Sequence, residues 1–388
     1  MIQSSSSVPD VLVIGAGIVG AACARACVEE GMSVAIVDAA APGGGVTAAG
    51  MGHLVALDES AAELDLCLLS LRLWDAFLDE HPAVGEPHRC GTLWVAEDEH
   101  QLEGAEARAR RLNGRGWRAD LVSGDALPGV EPALRRGLAG AVRVAGDSVV
   151  YPPAVAAALV KQACARGAVA RFGQRVVALG ADHVVLADGT CVSAGRIVVA
   201  AGVQVAQLLP EVPVFARKGH LAITDRYPGT LRHQVVSMGY GQPEGGAGAL
   251  AVAANVQPRA TGQWLVGSCR QDGQVSTEPD PAVTAAVLRS AMALLPPLAT
   301  MRIIRTWAGM RPASPDGLPI IGRHPTRGQV WLAAGHEGLG VTTAFGTAHL
   351  LADLMLGRPA AIDPGPYLPG RLLPTGAPAA GGHTRGIA

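Results

Sequence analysis

Lysine, aromatic residues and net charge are all scarce in this sequence. Lysine occurs at only two of the 388 positions, 161 and 218, and aromatic residues make up 4% of the chain. We interpret the excess of arginine over lysine first as coding bias. The formal net charge at pH 7 is -2, so the chain lacks the basic surface that binds nucleic acid or an anionic membrane. We therefore expect no nucleic-acid partner.

Paired cysteines and long apolar runs are also missing. The seven cysteines form no C-x-x-C pair, which argues against an iron–sulfur cluster or structural zinc, and we expect no metal site. The leader MIQSSSSVPD lacks the apolar run of a signal peptide, and no apolar stretch is long enough to span a bilayer. We expect a cytoplasmic protein, with peripheral attachment at the inner face of the membrane left open.

A βαβ pattern opens the chain. The run VLVIG (11–15) precedes a glycine-rich turn and the helical segment IVGAACARACVEEG, and a second apolar strand, SVAIVD, ends at an aspartate. The glycines of G-x-G-x-x-G permit a tight turn, close approach of a pyrophosphate and close helix packing, and the aspartate would bond a ribose hydroxyl. This pattern predicts a dinucleotide site and disfavours NADP, but it leaves NAD and FAD open. The residues assigned to the site are Gly15, Gly17, Ile18, Val19, Gly20 and Asp38.

Six further segments follow in a specific order. They are AAGMGHL (48–54), GDSVVYPP (146–153), VVAAG (198–202), RKGHLAIT (217–224), RPASPDGLPIIG (311–322) and AAGHEGLG (333–340). Together they resemble the D-amino-acid oxidase superfamily of FAD enzymes over almost the whole chain, notably the branch with glycine oxidase, sarcosine oxidase and bacterial D-amino-acid dehydrogenases. Within that branch, AAGMGHLVALDES and GHEGLGVTTAFGTA are most similar to the FAD-containing β subunit of D-hydroxyproline dehydrogenases. The resemblance implies FAD as the cofactor.

The resemblance also implies an α/β fold of two domains. A Rossmann-type FAD-binding domain would comprise residues 1–60, 145–210 and 306–375, and a mainly antiparallel β-sheet substrate domain would comprise 61–144 and 211–305. Residues 376–388 would form a flexible tail. The further cofactor-binding residues implied by the same segments are Ala49, Gly50, Met51, Gly52, Ala201, Gly202, Gly309, His336, Gly338, Leu339, Gly340 and Val341.

The segment AAGHEGLGVTTAFG (333–346) places several glycines where a helix is about to begin. A glycine weakens a helix by about 1 kcal/mol relative to alanine, so we interpret these glycines as room for the flavin. Backbone N–H groups near Leu339, Gly340 and Val341 would then lie close to the flavin O2, where a helix N-terminus stabilises negative charge. A simple tight turn between a strand and a helix is the alternative.

Arg311 is the candidate for binding the substrate. The resemblance places the arginine of GMRPASPDG against the substrate carboxylate, which a guanidinium pairs bidentately. A structural arginine that fixes the next loop is the alternative. Glycine oxidase carries a second arginine after its GH, where this chain has Glu337, and this argues against glycine as the substrate. Glu337 either acts in the site or complements the helix dipole.

Two of the other polar candidates, His53 and Lys218, have two interpretations each. His53 either contacts a hydroxyl or the amine of the substrate, or caps a turn. Tyr240 would be a wall of the substrate site. Lys218 either lies near flavin N5, where it would aid oxygen reactivity, or at the surface, where most lysines lie. Further candidates on neighbouring segments are Arg217, His220 and Arg270.

These residues predict a redox reaction without a protein base. Neither a Ser/His/Asp pattern nor paired carboxylates point to hydrolysis, and FAD would carry the chemistry by taking a hydride from Cα to give the imino acid. The resemblance implies a cyclic secondary D-amino acid, such as cis-4-hydroxy-D-proline, and electron transfer to a quinone or to iron–sulfur subunits of a hetero-oligomer. The alternatives are a glycine/sarcosine-type oxidase that produces hydrogen peroxide, and an FAD-binding subunit without catalysis of its own.

Overall fold

The computed structural model describes residues 8–239, 250–274 and 276–374. Tyr240 and the predicted tail at 376–388 lie outside these ranges. Within them, no helix is both long enough and apolar enough to cross a membrane.

The described chain alternates strands and helices throughout. The strands are β1 (Val11–Ile14), β2 (Val34–Asp38), β3 (His53–Leu54), β4 (Thr92–Ala96), β5 (Ala119–Ser123), β6 (Gly140–Val144), β7 (Ser148–Val149), β8 (Val169–Phe172), β9 (Val176–Leu179), β10 (His183–Leu186), β11 (Cys191–Ser193), β12 (Arg196–Val199), β13 (Phe215–Arg226), β14 (Gln234–Ser237), β15 (Ala251–Pro258), β16 (Gln263–Asp272), β17 (Ile303–Ala313), β18 (Ile320–Arg323) and β19 (Val330–Ala334). The helices are α1 (Ile18–Glu29), α2 (Val46–Ala49), α3 (Ala61–Glu80), α4 (Glu99–Gly114), α5 (Leu127–Val130), α6 (Pro152–Ala165), α7 (Val205–Leu208), α8 (Pro281–Leu294) and α9 (Ala344–Leu356).

A six-stranded sheet carries the N-terminal βαβ pattern. Its order is β18-β19-β12-β1-β2-β8, and all its pairs are parallel except β18 with β19. Every residue of β1 is buried, as expected for a central parallel strand covered on both faces. Helices α1, α6 and α9 contribute to the apolar core on one face, and the three-stranded sheet β11-β10-β9 contributes to the core on the other. This half has the predicted Rossmann-type architecture.

An eight-stranded sheet forms the second half. Its order is β17-β13-β16-β15-β14-β4-β6-β5, and its pairs are antiparallel except β14 with β4. Helix α8 packs on this sheet around the buried Trp264. The mixed α/β fold with a mainly antiparallel second sheet is therefore confirmed.

The predicted domain boundary at residue 306 falls inside β17. That strand pairs with β13 along most of its length, from Ile303 to Ala313, so its backbone hydrogen bonds make it one edge of the large sheet. Helix α3, predicted as part of the substrate domain, packs on α9 through Trp74 and Phe345, whose ring centroids are 4.5 Å apart. All the predicted domain boundaries stay predictions.

Candidate active site

A cavity of about 520 Å³ runs between the two large sheets. It begins at the carboxyl ends of β1, β2, β12 and β19 and continues beside β13, β15, β16 and β17. The carboxyl ends of parallel strands are where α/β sheets bind ligands, because the loops there leave a crevice. The lining is mostly apolar with a few polar groups, which is typical of a cofactor site.

The glycine-rich turn is shaped by close backbone contacts. Gly15 has φ 104°, and a side chain there would place its Cβ 2.5 Å from the carbonyl oxygen of Ala200. A Cβ on Gly20 would clash with the Gly15 carbonyl, so this glycine serves helix packing and does not line the cavity. The N–H of Ile18 donates to Thr47 Oγ1 at 3.0 Å. Thr47 also lines the cavity and has no motif that would have identified it from the sequence.

Asp38 lies at the end of β2 and holds the same turn. Its Oδ2 accepts from the Ala16 N–H at 2.6 Å, and its Oδ1 accepts from the Ala40 N–H at 2.7 Å. A carboxylate has about four lone-pair positions, so two remain for a ligand hydroxyl. Asp38 lines the cavity, as its predicted role requires.

The segment after β19 turns twice before α9 begins at Ala344. Gly335 has φ 72°, and residues 337–339 form a 3₁₀ turn. Gly340 has an ordinary φ of -56°, and a Cβ there would lie no closer than 3.4 Å to any other atom of the chain. The chain itself therefore does not require glycine at 340. Gly340 lines the cavity, and its predicted role as room for the flavin stays a prediction.

His336 is a buried, neutral member of this turn. Its Nε2 lies 3.0 Å from Thr347 Oγ1, and burial lowers the pKa of His336 to about 3. A histidine with so low a pKa carries no charge at neutral pH. It therefore contributes shape and a hydrogen bond to the cavity wall.

Arg311 lies in the cavity wall and is held by two strand residues. One terminal nitrogen donates to Ser268 Oγ at 2.6 Å, and the other donates to the Cys269 carbonyl oxygen at 2.8 Å. On the neighbouring strand β13, any side chain at position 219 would overlap the guanidinium, so Gly219 makes room for it. The two hydrogen bonds fix the guanidinium plane. Sequence reasoning missed Ser268, Cys269 and Gly219 because they lie on strands other than that of Arg311.

Glu337 is paired with two arginines. Its Oε1 lies 2.9 Å from a terminal nitrogen of Arg217 and 3.5 Å from Nε of Arg270. Arg217 also pairs with Asp272, and Arg270 with Glu59. Glu337 has φ 44°, rare for a residue with a side chain, and α9 begins only at Ala344. Its carboxylate is therefore one of three acidic groups that pair with the two arginines, and it does not cap α9, whose N-cap is Thr343.

His53 lies on β3 and lines the same cavity. Its Nδ1 is 2.5 Å from Gln234 Oε1, and its Nε2 is buried with no hydrogen-bond partner among the described residues. Burial lowers the pKa of His53 to about 4, and the positive charges of Arg259 and Arg311 act in the same direction. The ring is therefore neutral at pH 7.

The remaining cationic candidates do not reach the cavity. Lys218 is buried, contrary to the surface location that lysines usually take, and its Nζ donates to the Glu278 carbonyl oxygen at 2.6 Å. His220 accepts from the Asp280 N–H at 2.8 Å through Nε2, and its Nδ1 faces Cys269 Sγ at 3.3 Å. Neither Lys218 nor His220 lines the cavity.

Most of the predicted site residues converge on this one cavity. Gly20 and Leu339 do not line it, and Leu339 packs instead against the apolar core. The roles assigned to the lining residues stay predictions. The predicted residues that do line the cavity are Gly15, Gly17, Ile18, Val19, Asp38, Ala49, Gly50, Met51, Gly52, His53, Ala201, Gly202, Gly309, Arg311, His336, Glu337, Gly338, Gly340 and Val341.

The residues present fit an FAD molecule. Helix α1 has no side-chain cap at Gly17, and its N-terminus opens into the cavity, which suits a pyrophosphate. Asp38 is placed for a ribose, and the uncrowded Gly338 and Gly340 line the cavity farther along. Within the described ranges, no group of three or more His, Cys, Asp or Glu side chains is placed to hold a metal ion.

Comparisons with known proteins agree with FAD as the cofactor. The family described as FAD dependent oxidoreductase (DAO) matches residues 10–354. The chain is 31% identical to a glycine oxidase from Pseudomonas aeruginosa, over 93% of this chain and 99% of that protein. It is 32% identical to D-amino acid dehydrogenase 2 from Ralstonia nicotianae, over 72% of this chain and 68% of that protein. The crystal structure of glycine oxidase from Geobacillus kaustophilus superposes with a TM-score of 0.83 at 26% identity, covering 93% of this chain and 98% of that one.

Proposed function

The chain belongs to the DAO family of FAD dependent oxidoreductases, and on that basis we propose that it oxidises a cyclic secondary D-amino acid, such as cis-4-hydroxy-D-proline, to the imino acid. It is an enzyme that acts on amino acids, and FAD is its cofactor. When bound, the flavin supplies the hydride acceptor. We further propose that the electrons pass to an acceptor other than oxygen.

The anchored guanidinium of Arg311 is the observation that carries this proposal. Two hydrogen bonds, to Ser268 and to the Cys269 carbonyl, fix its plane in the cavity wall. A fixed guanidinium binds a carboxylate with defined orientation, and orientation of the reacting Cα–H is what such a reaction needs. Arg311 is therefore assigned to the substrate carboxylate.

The charges around Glu337 favour a substrate with one carboxylate. Arg217 and Arg270 both pair with Glu337, so neither is available as a second carboxylate site. An amino acid with one carboxylate and an otherwise uncharged ring suits a cavity whose lining is mostly apolar. This supports a proline-like ring over an acidic amino acid.

The location of the lysines supports an acceptor other than oxygen. A lysine ammonium beside the flavin would favour the reaction with oxygen, because positive charge stabilises the developing anion. The sequence has only two lysines, at 161 and 218. Lys161 is exposed on α6, and Lys218 donates to the Glu278 carbonyl outside the cavity lining. We assign the acceptor to a quinone or to electron-accepting subunits, and the site of action to the cytoplasm.

The relatives named glycine oxidase favour a second candidate, an oxidase that produces hydrogen peroxide. The relative named D-amino acid dehydrogenase favours the first. Glu337 weighs against glycine, because the resemblance places a second arginine of glycine oxidase near this position. An FAD-binding subunit without catalysis is a third possibility, against which the anchored Arg311 argues.

Anaerobic titration of the purified flavoprotein separates these candidates. The visible flavin absorbance is followed while cis-4-hydroxy-D-proline, D-proline, sarcosine or glycine is added. Bleaching by the D-prolines with slow recovery in air is the expected result. Bleaching by glycine or sarcosine with fast recovery and peroxide would assign the protein to the oxidases. Bleaching by none of the four would contradict the proposed substrate class.

A further inference from the structure

The hydrogen bonds around His53 determine which of its ring nitrogens carries the proton. Gln234 donates through Nε2 to the Ser148 carbonyl oxygen at 3.2 Å and to Thr92 Oγ1 at 3.2 Å. A carbonyl oxygen can only accept, so the amide nitrogen of Gln234 must face Ser148. The amide oxygen of Gln234 therefore faces His53 Nδ1, at 2.5 Å. Only an N–H can approach an amide oxygen so closely, so Nδ1 is protonated.

A second amide lies near the same nitrogen and does not change this assignment. Gln257 Nε2 is 3.3 Å from His53 Nδ1, and its Oε1 accepts from Arg259 at 2.9 Å. If Nδ1 accepted from Gln257, its lone pair would face the Gln234 oxygen at 2.5 Å, and two acceptors would repel. Because the contact with Gln234 is shorter than the contact with Gln257, Nδ1 donates to Gln234.

The other ring nitrogen of His53 is consequently an unprotonated acceptor. Nε2 is buried and has no partner among the described residues, and the Oδ1 of Asn255, which lines the same cavity, is in the same situation. A buried acceptor without a donor costs free energy, and native proteins rarely leave one unless a ligand or water satisfies it. The residues that line the cavity thus include a fixed cation, Arg311, and two side chains, His53 and Asn255, each with a buried acceptor that has no donor within the described part of the chain.

From this arrangement we propose that His53 Nε2 accepts a hydrogen bond from the N–H of the substrate amine while Arg311 binds the carboxylate. The inference rests on the proposed function and assigns the residue that recognises the amine. A cyclic secondary amine carries an N–H in both its neutral and its protonated state, so the acceptor serves either form. Because burial lowers the pKa of His53 to about 4, Nε2 stays unprotonated at neutral pH and orients the amine without taking its proton.

The test compares two planar carboxylic acids that do not reduce the flavin and that differ only in whether the ring carries an N–H donor. Pyrrole-2-carboxylate has a ring N–H where 2-furoate has a ring oxygen, and perturbation of the visible flavin spectrum reports the binding of each. We expect the wild-type protein to bind the pyrrole acid about fivefold to tenfold more tightly, as one net hydrogen bond provides. His53→Leu should abolish this preference without weakening the binding of 2-furoate. His53→Gln should retain most of it, because the glutamine amide oxygen reaches near the position of Nε2.

Flavin content and the thermal midpoint of each variant control for folding. Equal affinity of the wild-type protein for the two acids would overturn the inference even if His53→Leu failed to fold. A preference that survives in folded His53→Leu, or the absence of binding by either acid, would overturn it as well. Anaerobic reduction by cis-4-hydroxy-D-proline is measured in parallel. If cis-4-hydroxy-D-proline reduces the flavin but the two acids bind with equal affinity, only the role of His53 is refuted. If none of the tested amino acids reduces the flavin, the proposed function is refuted.

Discussion

The Glu337 carboxylate lies 2.9 Å from an Arg217 guanidinium nitrogen in the region where the cavity passes from the parallel sheet to the antiparallel one. Arg270 approaches the same oxygen at 3.5 Å. Glu337 thus joins two arginines, each of which also pairs with a second carboxylate, and it is the member of this network that lines the cavity. We expect the charge of Glu337 to affect how many carboxylates a bound ligand can carry.

Glu337→Gln is expected to reduce the preference of the site for ligands with one carboxylate over ligands with two. Glu337 lines the cavity, so the change removes a negative charge that repels a second carboxylate of a ligand. We expect the affinity for pyrrole-2,5-dicarboxylate, relative to pyrrole-2-carboxylate, to rise by about tenfold. Flavin absorbance titrations measure both ligands. Asp272→Asn is the matched control, since Asp272 also pairs with Arg217 but does not line the cavity. An unchanged ratio in Glu337→Gln, or an equal gain in the control, would contradict the prediction.

Arg311→Lys is expected to weaken carboxylate binding while retaining the charge. A lysine cannot reproduce the planar fork that Ser268 and the Cys269 carbonyl hold in place. We expect the dissociation constant of 2-furoate to increase by about a hundredfold, corresponding to about 2.7 kcal/mol. Arg305→Lys on the same strand, at an exposed position, should leave it unchanged. Similar affinities in Arg311→Lys and the wild-type protein would remove Arg311 from the site.

Gly340→Leu is expected to lower the FAD content of the purified protein. An alanine Cβ at 340 would find ordinary contacts, but the longer leucine side chain would extend into the cavity. The ratio of flavin to protein absorbance measures occupancy, and the thermal midpoint of the flavin-free protein should stay close to that of the wild type. Gly114→Leu, at an open position at the end of α4, is the control for adding a leucine. Full occupancy in Gly340→Leu would show that the flavin does not occupy the space beside this residue.

Stability is expected to decrease as pH rises from about 4 to about 7, because of Asp147. Burial raises the pKa of Asp147 to about 7, from an ordinary value of 3.8. The folded state therefore binds a proton in this range that the unfolded state releases, and the slope reaches about 1.4 kcal/mol per pH unit. Burial also raises the pKa of Glu63 to about 7, which acts in the same direction.

Denaturation of the wild-type protein and Asp147→Asn at pH 5, 6, 7 and 8 measures this effect. We expect the variant to be less sensitive to pH across this range and to gain stability relative to the wild type as pH rises. Asp125→Asn, at an exposed position, controls for the loss of a surface carboxylate. Parallel stability curves for Asp147→Asn and the wild type would rule out Asp147 as the source of the pH dependence.

Local sequence patterns were sufficient to predict those parts of the site that a single continuous segment forms. The turn at 15–20 and Asp38 are encoded within about 25 residues, and their geometry follows from the backbone freedom of glycine and the end of a strand. The motif around Arg311 pointed to an arginine that lines the cavity, and its role toward the substrate stays a prediction. Lys218 was assigned to flavin N5 or to the surface and proved to be buried away from the cavity, since its partner Glu278 is contributed by a distant loop.

The sequence by itself determined the dinucleotide turn, the mixed α/β fold and most of the residues that line the cavity. Only the tertiary structure decided what those residues can do. The protonated nitrogen of His53 depends on Gln234, which is 181 positions away, and the anchors of Arg311 lie 42 and 43 positions away on another strand. A hydrogen bond between such residues depends on strand register and side-chain direction. Both are set by packing of the whole chain, and no local pattern encodes them.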